Sequence, residues 1–248
     1  MFPLRDHNPS GRTPYVTYAL ILANVAVFMS YYALFDQPQA LEAFFFRFGF
    51  VPAYLDIAPL SVISSMFLHG SIMHIFGNML FLWIFGDNLE DKLGHLLFAA
   101  FYLAGGVAAA MLQYATEPQS TIPMVGASGA IATVLGGYFV LFPKARVDIL
   151  IIIVIIIRVL PVPAWMVLGV WLAIQLIQGA IAPADTGGVA YWAHTGGFVA
   201  GMVMILPIWL RLGGPAFWRR HGGHPPHPEA RYRFQKSSVP RVPRMPRR

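Results

Sequence analysis

PQSTIPMVGASGAIATVLGGYFVLFP, residues 118–143, contains no Asp, Glu, Lys or Arg. A run this apolar is long enough for a helix of about 20 residues across roughly 30 Å of hydrocarbon. Similar uncharged runs lie on either side of it, at about 13–35, 57–86, 93–116, 159–184 and 186–210. The chain is 57% apolar and only 11% charged, which a water-exposed globular surface could not tolerate, so most of its solvent must be lipid. These runs predict an all-α membrane protein, a bundle of six transmembrane helices.

The cationic side chains set the expected orientation. Ten of the seventeen Lys and Arg residues fall between Arg211 and Arg248. With both termini inside, Arg5, Arg12, Lys92, Lys144, Arg146 and Arg158 join them, leaving only Arg47 outside. The expectation is therefore N-in and C-in. Residues 1–14 read as a cytoplasmic N-terminal stub with no cleaved leader, residues 15–211 as the membrane domain, and residues 212–248 as a basic, Pro-rich, disordered cytoplasmic tail. The partner expected for that tail is anionic lipid. His221, His224 and His227 offer no closed ligand set for a metal there.

Two connections are unusual. Residues 37–68 make a long first outer loop rich in Phe44, Phe45, Phe46, Phe48 and Phe50, predicted to dip into the membrane. The Ile/Val/Leu run at 149–157 resembles a span but is too short to cross as a helix, and Arg158, Pro161 and Pro163 end it. Residues 145–163 are read as a membrane-associated or protein-covered segment, because a seventh span would put the basic tail outside.

The chain has no cysteine, which excludes thiol nucleophiles and Cys-bound metals. Neither a cofactor nor a metal is expected, nor a nucleic-acid partner. Polar side chains within apolar runs are costly and so are candidates for function. Ser128 starts the fourth run, flanked by Gly126 and Gly129. If Lys144 marks that helix's far end, Ser128 lies about 24 Å along it at about 1.5 Å per residue, recessed below the outer membrane surface. His194 enters the sixth run at similar depth, beside small residues Ala193, Gly197 and Gly201 that permit close backbone approach. An imidazole adjoining a serine can take its proton and later return it to a leaving amine. No acidic third member is evident. His74 and Asn78, four residues apart, share one helix face. With the Ser128 N–H they could stabilise an oxyanion. His69 is assigned to organising the first loop by hydrogen bonding.

These motifs resemble the rhomboid proteases over residues 15–211. Gly126-Ala127-Ser128-Gly129 is similar to the family's Gly-x-Ser-Gly, His194-Thr195-Gly196-Gly197 to its last-helix His motif, and His74 through Asn78 to its His-x-x-x-Asn. The resemblance implies a Ser128–His194 dyad and an oxyanion hole of His74, Asn78 and the Ser128 backbone. It also implies a serine endopeptidase that cuts transmembrane protein substrates, with a small residue before the cut and with Trp165 and Trp171 in a movable wall at the fifth helix. Two features depart from the family pattern. Leu60 and Ser61 stand where many members have Trp-Arg, and Ala132 stands where some carry a Tyr stacked on the catalytic His, so the orientation of His194 must be set otherwise.

The expected location is a multi-pass protein of a bacterial plasma membrane, its site opening to the non-cytoplasmic side. The main rival is a non-catalytic rhomboid-like binder of client helices. A proton-coupled transporter is disfavoured, since no internal repeat is visible and every Asp and Glu lies outside the spans or at their ends.

Overall fold

In the computed structural model, which describes residues 2–153, 156–181, 188–226 and 228–230, helix α1 (Tyr15–Tyr31) starts directly after Pro14 with no cap of its own. Its cap comes from far along the chain. Glu90 near the end of α4 (Ile72–Leu93) accepts hydrogen bonds from the Val16 and Thr17 N–H groups and the Thr17 hydroxyl, each 2.8 Å. The carboxylate thus satisfies two otherwise orphaned amides and faces the positive end of the helix dipole. Ser71 caps α4 by accepting from the His74 N–H. Gly94, at φ +77°, ends α4 and leads straight into α5 (His95–Thr116), a backbone conformation that L side chains avoid.

Helix α6 (Ser128–Leu141) is the central element, with eleven of its residues buried among α4, α5 and α8 (Tyr191–Arg211). A Cβ on Gly136 would strike the Phe198 carbonyl, one on Gly197 the Gly129 carbonyl, and one on Gly201 the Thr133 carbonyl. Thr133 also donates to the Gly197 carbonyl at 3.0 Å, tying the two helices by a polar bond as well as by packing. Helix α7 (Ala164–Ile181) adheres mainly to α8, and most of its surface is exposed.

Among the described residues, five helices, starting at Tyr15, Ile72, His95, Ala164 and Tyr191, are long and apolar enough to cross a membrane. The fourth of the six expected spans is α6, which at 14 residues is shorter than the others. The second begins at Ile72 rather than near residue 57, because residues 37–68 form structure of their own. Helix α2 (Pro38–Phe48) and the single turn α3 (Ser61–Ser64) occupy that loop. Phe44 and Phe45 of α2 pack on Tyr31, while Phe46 and Phe48 remain exposed.

The helical expectation needs one addition, a three-stranded antiparallel sheet ordered β1 (Phe2–Asp6), β2 (Arg146–Ile153), β3 (Ile156–Pro163). Residues 2–6 of the expected N-terminal stub are therefore a paired strand. Their partner strand lies some 140 residues away, which local sequence does not reveal. The β-branched run of β2 suits a pleated strand, and Pro161 and Pro163 are tolerated because β3 is an edge. One face of β2 sends Val147 and Ile149 into the helical core. Asp148 is buried and accepts from the Arg5 guanidinium and His7 ring, each at 2.8 Å. Burial opposes its charge, but those two hydrogen bonds outweigh it and hold the carboxyl below the usual range.

The expected disorder from residue 212 is corrected for its first part. Helix α9 (Pro215–His221) folds back, with Phe217 buried and the Trp218 ring N–H donating to the Val140 carbonyl at 3.0 Å. Beyond it, the Ala230 N–H donates to the His7 carbonyl at 3.0 Å. His227 and residues 231–248 lie outside the described residues. The first and last described segments thus meet at the end of the bundle away from Ser128.

At that end the Asp6 carboxylate accepts from the Tyr138 hydroxyl at 2.7 Å and from the Asn88 amide at 3.0 Å, pinning β1 to α6 and α4. Burial, opposed by the Tyr138 hydrogen bond and reinforced by the Asp87 charge, raises its pKa to about 8. The folded state therefore holds this proton more tightly than the unfolded chain. Its contribution to stability is full below the ordinary carboxylate pKa, declines as pH rises, and is lost above about 8. Asp148 acts in the opposite sense, losing its contribution as pH falls below its own depressed value. In detergent, the unfolding temperature should fall between about pH 5 and 9, and Asp6→Asn should flatten that slope. An unchanged slope in the variant would remove Asp6 as its source.

Candidate active site

Ser128 is the first residue of α6, so its N–H has no partner within the helix. The approach to it is fixed by two anchors. Phe50 and Met124 exchange backbone hydrogen bonds of 2.9 and 2.7 Å, and the Gly126 N–H donates to the Ser65 carbonyl at 2.9 Å. Gly126 itself has φ +136°, and a Cβ there would lie 2.9 Å from His74 Nε2, so glycine is required on both counts. Gly129, one position after the serine, packs so closely on Ala109 that an added Cβ would lie 2.7 Å from the alanine methyl.

His194 is the fourth residue of α8, and the close approach at Gly197 carries it to the serine. The Ser128 hydroxyl and His194 Nε2 are 2.7 Å apart. The other ring nitrogen, Nδ1, donates to Gln175 Oε1 at 2.8 Å, which leaves Nε2 as the acceptor of the serine proton. The indole of Trp171, one turn before Gln175 on α7, lies against the imidazole with centroids 5.7 Å apart and 31° between planes. At the base of the imidazole, the Ala193 N–H donates to Gln113 Oε1 at 3.1 Å.

His74 and Asn78 line the same cavity of about 680 Å³ as Ser128 and His194. The Gly70 N–H donates to His74 Nδ1 at 3.4 Å, so the proton belongs on Nε2, the nitrogen nearest Gly126. The Asn78 amide nitrogen is buried and has no hydrogen-bond partner among the described residues. Two potential donors, on His74 and Asn78, are therefore held on α4 in the cavity that holds the serine.

His69 is expected to organise the first loop by hydrogen bonding. Its backbone does the bonding, accepting from the Tyr31 hydroxyl at 3.0 Å and donating to it at 2.7 Å. Its ring is buried and packs edge-on against His74. Of the two tryptophans expected in a movable wall, Trp171 in the middle of α7 touches His194, and Trp165 lies in its first turn, where its backbone N–H donates to the Pro143 carbonyl. Gln175 and Gln113 escaped the sequence reading. The available signal was an amide within an otherwise apolar helix, a costly placement unless the amide is bonded.

The family pattern described as Rhomboid domain matches residues 58–211. Rhomboid protein 1, mitochondrial, of Saccharomyces cerevisiae is 32% identical over 195 residues, which is 76% of this chain and 51% of the yeast protein. Presenilin-associated rhomboid-like protein A, mitochondrial, of Danio rerio is 37% identical over 98 residues, 39% of this chain and 26% of that protein. Rhomboid-related protein 2 of Mus musculus is 27% identical over 216 residues, 79% and 66% of the two chains. The chain thus spans about half the length of the yeast relative and about a quarter of the zebrafish one. These eukaryotic relatives, two of them mitochondrial by name, correct the expectation of a bacterial plasma membrane. Apolar span length and cationic loops read alike in either membrane, so the sequence offered no physical basis for choosing. The multi-pass membrane character stands.

The site geometry depends on how closely α6 and α8 approach. Gly197→Ala forces a methyl into the Gly129 carbonyl and should move His194 off Ser128. Labelling of Ser128 by a fluorophosphonate probe should fall about 10–100-fold, as misplacements near 1 Å do elsewhere. Undiminished labelling would mean that this contact does not set the Ser–His distance.

Proposed function

The chain belongs to the rhomboid family, and we propose that it is an intramembrane serine endopeptidase that hydrolyses peptide bonds in or near the transmembrane segments of other membrane proteins. The observation that carries this reading is the 2.7 Å Ser128–His194 contact in a cavity shared with His74 and Asn78. His194 Nε2 accepts the Ser128 proton as Oγ attacks the substrate carbonyl. The resulting oxyanion is met by His74 Nε2–H, the Asn78 amide and the Ser128 N–H. The imidazolium then gives its proton to the departing amine, leaving an acyl-enzyme on Ser128. A water molecule, deprotonated by the same imidazole, releases the new carboxylate and restores the serine.

A substrate helix hides its carbonyls in its own hydrogen bonds, so cleavage should favour segments weakened by Gly or Pro. The cationic end of α9, with Arg219 and Arg220, supports anionic lipid as a partner for the C-terminal segment. The names of two relatives support a mitochondrial membrane as the setting.

Purified protein should cleave a tagged transmembrane substrate, and Ser128→Ala and His194→Ala should each abolish product. Cleavage that survives Ser128→Ala would end the proposal. A separate pair of variants tests the oxyanion donors. Asn78→Ala and His74→Ala should each lower kcat about 10²–10³-fold, the usual cost of one such donor, while leaving KM within a small factor. An effect confined to KM would make these residues substrate-binding groups instead.

A further inference from the structure

Helix α7 contributes a side chain to the site that the sequence motifs do not include. On α7, residues Ala164, Leu168, Trp171 and Gln175 fall on one face, the face turned to α8, and Gln175 is buried while Gln178, three residues on, is exposed. Burying an amide in an apolar helix is unfavourable unless it finds a partner. Gln175 finds one in His194 Nδ1 at 2.8 Å. No carboxylate takes that position. The imidazole is thus gripped by Gln175 on one edge, Ser128 on the other, and the Trp171 indole on a face.

We propose that Gln175 is the positioning residue of the dyad, fixing His194 in the tautomer that bears its proton on Nδ1 and points a bare Nε2 at the Ser128 hydroxyl. The inference rests on the endopeptidase reading for its catalytic consequence and on geometry alone for the tautomer. An amide oxygen can only accept, so a neutral imidazole facing it must donate from Nδ1. Without that acceptor, the Nε2–H tautomer is equally available, and in it the base has no lone pair for the serine proton. A neutral amide also differs from a carboxylate in adding no charge to the imidazolium that forms later. Gln175 thus orients the base while raising its basicity less than a carboxylate would. Because the oxygen is carried by α7 and the base by α8, the base is correctly oriented only where those two helices are docked.

The test compares wild type with Gln175→Leu, which removes the acceptor, and Gln175→Glu, which keeps an oxygen in its place. Two readouts are used on the full chain in detergent: cleavage of a tagged transmembrane substrate, and nitrogen-15 NMR of ring-labelled histidine, with His194 assigned by the His194→Ala spectrum. The Leu variant should lose about 10–100-fold in kcat with KM within about twofold, and its His194 signal should shift from the Nδ1–H to a mixed or Nε2–H pattern. The Glu variant should retain the Nδ1–H signal and recover most of the lost kcat. Unchanged kcat in the Leu variant, or a His194 that keeps the Nδ1–H tautomer without Gln175, would overturn the proposal. Wild-type protein that cleaves no substrate would defeat the endopeptidase reading, and the NMR comparison would still decide the role of Gln175.

Discussion

The contact between the backbones of α6 and α8 is the constraint on which the rest of the molecule depends. Three glycines, Gly136, Gly197 and Gly201, lie against carbonyls of the facing helix with no room for a methyl. Helices in lipid gain nothing from hiding apolar surface from water, so their association depends on such close packing and on hydrogen bonds like that of Thr133 to Gly197. The same closeness brings a serine on one helix within 2.7 Å of a histidine on the other. Larger residues at these positions would separate the helices and the reacting groups together.

A second constraint is that every polar group removed from water needs a partner. At the end of the bundle away from Ser128, Glu90 serves as the distant cap of α1, and Asp6 links β1 to the far end of the serine-bearing helix through Tyr138. The sheet and α9 close that end over the core. Around Ser128, the Asn78 amide nitrogen is buried without a hydrogen-bond partner among the described residues.

The imidazole illustrates how a missing group can be replaced from another helix. Ala132 cannot stack on His194, and no acid backs it. Trp171 and Gln175 of α7 occupy those two places instead. A motif search along α6 and α8 finds the absence but not the substitute, because the substitute lies on neither helix.

By itself the sequence determined the membrane character and the helical class, and it singled out the polar residues of the candidate site. Uncharged run length reports helix length directly, and Ser128, His194, His74 and Asn78 stand out because polar groups are rare in apolar runs. It also brought the chain to its family, since three short motifs in order need no folded structure to be recognised. Only the tertiary structure decided the sheet of residues 2–6, 146–153 and 156–163, the folding back of α9, the bonding of the His69 backbone to Tyr31, and the partnership of Gln175 with His194. Each of these is a pairing between segments remote in sequence, some separated by more than a hundred residues. Local composition records what a residue is, whereas these outcomes depend on which backbone the chain brings beside it.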